Sequence, residues 1–241
     1  MVLTSKNISL PNADKKASDL EVGSSVYLNE NGAAVEYLVV NQGIPSDSSL
    51  YDSSCDGLWL LRKDIYEKRV WNKTATNDYT ASNTSNIHAY LNGDFLALFD
   101  ADTQAAIQQV KIPYVYGNGD GDVISGGDGL DTRVFLLSGY EVGWTKSDYS
   151  SLPKDGAKLA YFASGNDEEA KSLRIAYLDG TATSWWLRSP DTEDTEMPNL
   201  VSSSGSYAGN YANTSDGVRP ALILSANAVF DGETKLFKGV A

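Results

Sequence analysis

Short apolar blocks alternate with polar blocks along this chain, and most of the apolar blocks have the length of β-strands. Two of them, Ser25–Leu28 and Val35–Asn41, lie on either side of a polar turn that contains Asn-Gly, which is typical of a β-hairpin. Leu58–Arg62 is almost continuously apolar, which predicts a strand covered on both faces. The second half of the chain predicts further strands, namely Arg133–Leu137, Arg174–Leu178, Ser184–Arg188 and Gly217–Leu224.

One stretch in the first half has the spacing of a helix. Apolar residues recur there at intervals of three and four, and they are Ile87, Tyr90, Leu91, Phe95 and Leu98. Thr84 or Ser85 can cap the start of this helix. A second helix is expected to begin at Asp100 or Asp102 and to end before Pro113. Because helices come early and strands dominate late, the pattern predicts an α+β fold with one mixed core.

The first residues differ from the rest, because they are polar and show no periodicity. We therefore expect an N-terminal arm over residues 1–19 and a single domain over residues 20–241. The start of the chain lacks the apolar stretch of a secretory signal, so we expect synthesis in the cytoplasm without a signal peptide.

The charge balance narrows the classes of partner. The 241 residues include 32 Asp and Glu against 19 Lys and Arg, which gives a net charge of −13. Such an acidic chain repels phosphate backbones and anionic lipid surfaces, so we expect neither nucleic acid nor a membrane as its partner. Cys55 is the single cysteine, which excludes an intrachain disulfide and favours a small buried side chain.

A loop rich in Asp and Gly over residues 116–131 offers oxygen ligands of the kind that calcium prefers, namely Asp120, Asp122, Asp128 and Asp131. Its spacing does not match an EF-hand, because Val123 stands where that motif needs glycine. The Gly-Gly-Asp unit of a calcium β-roll occurs once, whereas that fold repeats it. The sequence therefore favours a solvated acidic loop, and we expect no metal and no cofactor.

Few residues support catalysis. His88 is the single histidine and lies beside the apolar helix stripe, which favours a structural or surface role over that of a base. No Gly-x-Ser-x-Gly motif indicates a serine nucleophile. A pair of acids for glycoside hydrolysis stays open, because the sequence does not give the distance between two carboxylates.

The most informative stretch lies near the C-terminus. Trp185–Pro190 and Gly217–Leu222 are stiff and mostly apolar, and they enclose residues 191–216, which are rich in Ser, Gly, Asn and Asp. Antibody paratopes combine the same residues with tyrosine. We expect ligand contacts from Asp191, Glu193, Asp194, Asn199, Ser202, Ser204, Ser206, Tyr207, Asn210, Tyr211 and Asn213. A polar surface loop without a partner is the alternative interpretation.

Two arginines, Arg188 and Arg219, flank this segment. A buried arginine can hold loops through carboxylates or backbone carbonyls, and we expect this role for one or both of them.

The motifs SWWLRSP (184–190) and GVRPALIL (217–224) resemble those of a widespread domain family of gut bacteria and their phages. Further matches occur in the same order, among them VEYLVVNQG, GLWLLRKDIYEKRVWN and RVFLLSGYEVGW, and the resemblance covers about residues 20–225. Within that family the chain looks like phage tail-associated proteins of Firmicutes phages and prophages. The family is similar to C-type-lectin-like folds, which include formylglycine-generating-enzyme-like domains and the variable proteins of diversity-generating retroelements.

The resemblance implies a C-type-lectin-like fold and a non-enzymatic virion protein that displays residues 191–216 to a host-surface protein or glycan. It also implies contacts with other tail subunits and a homo-oligomer, with a trimer expected for a tail adhesin. The alternative is a structural protein that decorates the virion or assists tail assembly, with the same loops contacting another subunit. An enzyme that acts on glycans is a third class.

The chain departs from its relatives in fold at two points. The sugar-binding motifs of calcium lectins are absent, because Met197-Pro198-Asn199 lacks the carboxylate in register and no Trp-Asn-Asp follows. The paired cysteines of formylglycine-generating enzymes are missing, since Cys55 stands alone. We therefore expect neither calcium-dependent sugar recognition of the animal-lectin kind nor that enzymatic activity.

Overall fold

The computed structural model describes residues 13–47, 49–80, 86–115 and 121–241. Short strands dominate and helices are few, so the α+β class expected from the sequence is confirmed. The strands in chain order are β1 (Lys15–Lys16), β2 (Ser25–Glu30), β3 (Ala33–Gln42), β4 (Leu58–Arg62), β5 (Glu67–Val70), β6 (Val110–Ile112), β7 (Tyr114–Val115), β8 (Val123–Ile124), β9 (Leu130–Thr132), β10 (Val134–Phe135), β11 (Tyr177–Leu178), β12 (Thr181–Ala182), β13 (Trp185–Pro190), β14 (Pro198–Val201), β15 (Tyr207–Gly209), β16 (Ser215–Val218), β17 (Ala221–Leu224), β18 (Ala228–Phe230) and β19 (Phe237–Val240).

The helical elements are short and gather mainly in the first half. The α-helices are α1 (Ile87–Tyr90), α2 (Ala101–Ala106) and α3 (Glu168–Arg174), and α1 continues into a π-helical turn at Leu91–Phe95. Single 3-10 turns occur at Ala17–Asp19, Ser53–Cys55 and Leu96–Leu98. No helix among the described residues combines the length and the apolar character needed to cross a membrane.

Two five-stranded sheets carry the structure. The first sheet has the order β10-β17-β4-β3-β2, and the second sheet has the order β15-β14-β13-β16-β5. A three-stranded sheet, β1-β18-β19, brings the two ends of the described chain together. Most neighbouring strands are antiparallel, whereas β13 and β16 in the middle of the second sheet run parallel.

The β2–β3 hairpin confirms the prediction from its Asn-Gly turn. Ser25 lies opposite Leu38 and Glu30 lies opposite Ala33, so two residues form the loop. Asn31 and Gly32 both have positive φ, 49° and 82°, as a type I′ turn requires. Asparagine and glycine adopt positive φ at low cost. Along β2, buried side chains alternate with half-buried ones, so one face of the strand lies on the core.

The helix predicted from apolar spacing exists, and its buried stripe contains Ile87, Leu91 and Phe95. Thr84 and Ser85 lie outside the described residues, and Asn86 is the N-cap, with its side chain accepting from the Ala89 amide at 3.1 Å. The second helix, α2, begins after Asp100, whose carboxylate accepts from the Thr103 amide at 2.8 Å. It ends at Ala106, well before Pro113.

Two strand predictions are wrong. Arg174 is the last residue of α3, which Asp167 caps, and the strand that follows is confined to β11. Residues 217–224 form the end of β16 and all of β17, which belong to different sheets. Pro220 lacks an N–H group for a sheet ladder, so the chain leaves the second sheet there and enters the first.

The core is one cluster in which aromatic side chains are prominent. All five tryptophans are fully buried, and each indole N–H has an acceptor. Cys55 is free and buried as expected, and burial raises the pKa of its thiol to about 12.

The arm expected over residues 1–19 lies in part outside the described residues. Its final residues contact the domain, since Lys15 pairs with Phe230 and Ala17 is fully buried.

Candidate functional site

Strand β13 (Trp185–Pro190) is the rigid base of the candidate site, because every one of its residues is buried. Arg188 projects from it and satisfies all five of its N–H donors. Two of these bonds are to the Glu141 carboxylate at 2.6 and 2.7 Å, and three are to the carbonyls of Pro113, Leu136 and Asp155. A fully buried, bidentate pair of this kind costs much desolvation and tolerates little displacement, so it fixes β13 against the chain around residues 136–155.

A second buried acid lies beside this pair. Asp155 is fully buried, and both of its oxygens accept from the Ser189 hydroxyl, at 2.9 and 2.8 Å. Burial, with a smaller contribution from Glu141, raises the pKa of Asp155 to about 7, and Arg188 and Ser189 oppose this rise. The network of Arg188, Glu141 and Asp155 therefore carries no net charge when Asp155 is protonated.

Arg219 and Arg174 act on the other side of β13. Arg219 lies over the Trp185 ring at 4.9 Å and donates to the Arg62 carbonyl, and burial lowers its pKa to about 10. Arg174 lies over Trp144 at 4.5 Å and donates to the Val142 and Gly165 carbonyls. The interpretation that arginines flanking the polar segment hold the chain through carboxylates and backbone carbonyls is confirmed.

The loop from residue 191 to residue 197, between β13 and β14, is held mainly through its backbone. The fully buried Asn77 donates its amide to the carbonyls of Asp191, Asp194 and Met197, at 3.0, 2.8 and 3.2 Å. The Asp191 carboxylate accepts from the amides of Glu193 and Asp194, which closes a tight turn. The side chains of Glu193, Thr195 and Glu196 stay exposed to solvent as a result.

A second loop, residues 148–151, lies against the first and was not predicted as part of the site. The Ser151 carbonyl accepts from the Thr192 amide at 3.0 Å, and the Ser151 hydroxyl donates to Asp191 at 2.9 Å. Ser150 donates to Glu193 at 3.0 Å. The segment 210–214 joins on the other side, because the Ala212 amide donates to the Glu196 carbonyl at 2.9 Å. We call residues 148–151, 191–197 and 210–214 the loop face.

Tyr207 is a supporting residue of this face. Its ring stacks on Tyr149 at 3.8 Å and forms a T-shaped pair with Trp144, and its hydroxyl donates to Asn199 Oδ1 at 2.6 Å. Burial raises the pKa of Tyr207 to about 12. Asn199 is fully buried and also donates to the Pro190 carbonyl, so its side chain does not reach the surface. Both residues fix the face, and a loss of Tyr207 therefore costs stability.

The remaining predicted contact residues fall into two groups. Tyr211, at 48% exposure, and the exposed Asn213 lie on the loop face, and Asn210 binds Asp216 at 2.8 Å beside them. The three serines lie elsewhere, in the turn between β14 and β15, at the other end of β14 from residues 191–197; they are Ser202, Ser204 and Ser206. A four-residue strand separates the two groups by about 13 Å. Whether any of these residues contacts a ligand stays a prediction.

The remaining predictions from the sequence concern a metal site in the acidic loop and the role of His88. Asp120 lies outside the described residues, and among those described no three His, Cys, Asp or Glu side chains are grouped so that they could hold a metal ion. His88 is buried against the Tyr79 ring at 5.1 Å, and burial lowers its pKa to about 4. This position confirms a structural role for His88.

Residues 56–226 match the family model of a domain of unknown function, DUF6273. The matched range covers most of the chain, so the protein belongs to this family. The matched range includes the whole second five-stranded sheet, strands β4, β10 and β17 of the first, and the whole loop face. No curated protein and no solved structure matches the chain.

Proposed function

We propose that this protein is a non-enzymatic binding module of a phage tail or virion, with a C-type-lectin-like scaffold. Its loop face contacts a host-surface receptor, either a protein or a glycan. The family resemblance of the SWWLRSP and GVRPALIL motifs suggests this setting, and the geometry of the loop face suggests the mode of contact.

The observation that carries the proposal is how the loop 191–197 is held. Asn77 and Ala212 bind its backbone carbonyls and the Asp191 carboxylate closes its turn, so the position of the loop does not depend on its exposed side chains Thr195 and Glu196. The exposed side chains, Glu193 and Glu196 among them, are therefore available to a partner. A surface built this way accepts changes of side chain without a change of fold, which suits a receptor-binding face.

The face combines an exposed tyrosine with small polar and acidic side chains. Tyr211 offers a large contact area with few rotatable bonds, while Asn213 and the nearby acids offer hydrogen-bond acceptors. One such face is small, and its affinity alone is expected to be modest. Repetition on an oligomeric tail raises the overall affinity through effective concentration.

Adsorption of the tetramerised protein to cells tests the proposal. Biotinylated protein on fluorescent streptavidin is mixed with a panel of Firmicutes strains, and bound fluorescence is read by flow cytometry. Tyr211→Ala is compared with Tyr177→Ala, because the two side chains are similarly exposed, at 48% and 45%, and Tyr177 lies outside the loop face.

We expect the wild type to label at least one strain and Tyr211→Ala to lower labelling by roughly tenfold, with both melting temperatures within about 2 °C of the wild type. Equal labelling by the two variants contradicts a role for the loop face. If no strain is labelled and loop-face variants fail to enter virions, the structural alternative is supported instead.

A further inference from the structure

A cleft of about 310 Å³ lies on the edge of the second sheet, outside the loop face. Its walls are the end of β5 with the residues that follow it, and the helical segment from Asn86 through the π-helical turn. The volume is at the lower end of the range for small-molecule sites. The cleft and the loop face have no residue in common, so a failure of one proposal leaves the other standing.

Positive charge lies on the strand side of the cleft. Arg69 is held in place, since its guanidinium lies over the Tyr90 ring at 3.6 Å and its Nε donates to Glu67 at 2.8 Å. Lys73 follows β5, is exposed and forms no ion pair with any described residue. Because Glu67 pairs with Arg69, Lys73 is the cation lining the cleft that forms an ion pair with no described carboxylate.

Negative charge lies on the helical side. Asp94 belongs to the π-helical turn, lines the same cleft and is exposed, and within the described chain it too forms no ion pair. Lys73 and Asp94 therefore line one cleft without reaching each other. A ligand with an acidic group and an amino group can pair with both.

Gly93 gives an independent indication that the cleft is kept open. It lies inside the π-helical turn with an ordinary φ, and a Cβ placed on it would meet no atom within 4 Å. Neither backbone geometry nor packing thus requires glycine here, although glycine is less stable than alanine in a helical turn. Short π-helical turns inside helices occur frequently at functional sites. The missing side chain leaves the wall of the cleft at Gly93 without a side chain.

We propose that this cleft binds a small zwitterion, a free amino acid, with its carboxylate at Arg69 and Lys73 and its ammonium group at Asp94. The ring of Tyr90 and the bare backbone at Gly93 form the sides between the two charges. Such a ligand completes two ion pairs that the protein leaves open, and a simple anion would face repulsion from Asp94.

Titration calorimetry of the full chain tests the site with glycine, L-alanine and L-glutamate as probes. Acetate and ethylamine, which each carry one of the two charges, are the ligand controls. The variants are Lys73→Gln and Asp94→Asn, with Lys146→Gln as an exposed-lysine control. Gly93→Ala adds a methyl group to the wall of the cleft and tests whether the ligand lies there.

We expect at least one amino acid to bind, and acetate and ethylamine to bind at least about tenfold more weakly. Lys73→Gln and Asp94→Asn should each weaken binding by about tenfold, and Lys146→Gln should not. Gly93→Ala should raise the melting temperature and still weaken binding, which a loss of folding cannot mimic.

Three results overturn the proposal. The first is the absence of binding by all three amino acids up to roughly 20 mM, a weak limit for a charge-paired ligand. The second is acetate binding as tightly as glycine with no loss in Asp94→Asn, which indicates a site for anions alone. The third is full binding by Gly93→Ala, because it places the ligand elsewhere.

Discussion

Replacing Asp155 by asparagine should change how stability depends on pH while keeping the shape of the side chain. Burial raises the pKa of Asp155 from 3.8 to about 7, so between these values the native protein holds a proton that the unfolded chain has lost. This contribution to stability is fully present below about pH 4 and is lost as the pH rises toward 7. A pKa difference of about three units between the native and the unfolded chain corresponds to about 4 kcal/mol of folding free energy.

His88 acts in the opposite direction over much of the same range. Burial lowers its pKa from 6.5 to about 4, so the unfolded chain holds the extra proton between these values. This contribution is present above pH 6.5 and is lost as the pH falls toward 4, and it amounts to about 3 kcal/mol. The two slopes are each about 1.4 kcal/mol per pH unit with opposite signs, so these two contributions should largely cancel in the wild type from about pH 4.5 to 6.

Each single substitution therefore uncovers the slope of the other group. In Asp155→Asn the unfolding free energy should rise by about 1.4 kcal/mol from about pH 5 to about pH 6, and in His88→Gln it should fall by a similar amount. The slope is the quantity to compare, because both variants lose some stability at every pH. Glu36 and Asp47, whose pKa values are lowered by partners such as Lys63 and Ser49, titrate mostly below this window. Burial raises the pKa of Asp78, but this group is common to the wild type and both variants and does not alter the difference between their slopes.

Urea denaturation followed by tryptophan fluorescence measures these slopes, since all five tryptophans are buried in the native state. Asp122→Asn, at an exposed position, is the control and should keep the wild-type slope. If Asp155→Asn shows the same pH dependence as the wild type, Asp155 does not hold a proton in the native network and the reasoning is refuted.

Three further substitutions test the support of the loop face. Tyr207→Phe removes the hydrogen bond to Asn199 and should lower the free energy of unfolding by about 1 kcal/mol in urea denaturation, and an unchanged midpoint contradicts a supporting role for that hydrogen bond. Arg188→Met should lower the free energy of unfolding by at least about 3 kcal/mol, because it leaves the buried Glu141 carboxylate without a partner. The double variant Arg188→Met with Glu141→Leu should regain part of this loss, and a double variant less stable than the single one argues against the cost of that unpaired charge. Asn77→Ala should leave the fold intact and make residues 191–197 more susceptible to limited proteolysis, and an unchanged cleavage rate speaks against its bonds to that loop.

Local patterns predicted those features that depend on neighbouring residues. The Asn-Gly hairpin, the helix stripe from Ile87 to Phe95 and the buried Cys55 follow from short-range rules of turns, spacing and burial. The change of sheet at Pro220 was missed, because an apolar run does not show which sheet each half joins. A proline inside such a run was the signal that could have indicated the break.

The supports of the loop face could not be predicted, because their bonds connect distant parts of the chain. Asn77 lies 114 residues from Asp191, and no motif marks it among the other asparagines. Tyr207 carries the composition of a contact residue, and only the position of Tyr149 reveals that the two rings stack on each other. Composition therefore indicated the polar segment, and tertiary packing decided which of its side chains remain free.

Adsorption across a library of folded variants tests the central claim most directly. Glu193, Glu196, Tyr211 and Asn213 are randomised together, folded members are selected by their melting temperature, and each is measured for binding to a strain that the wild type labels. We expect folded members to be frequent and their adsorption to spread over at least about tenfold. Uniform adsorption among the folded members would contradict the account, because the loop face would then hold its shape without recognising anything.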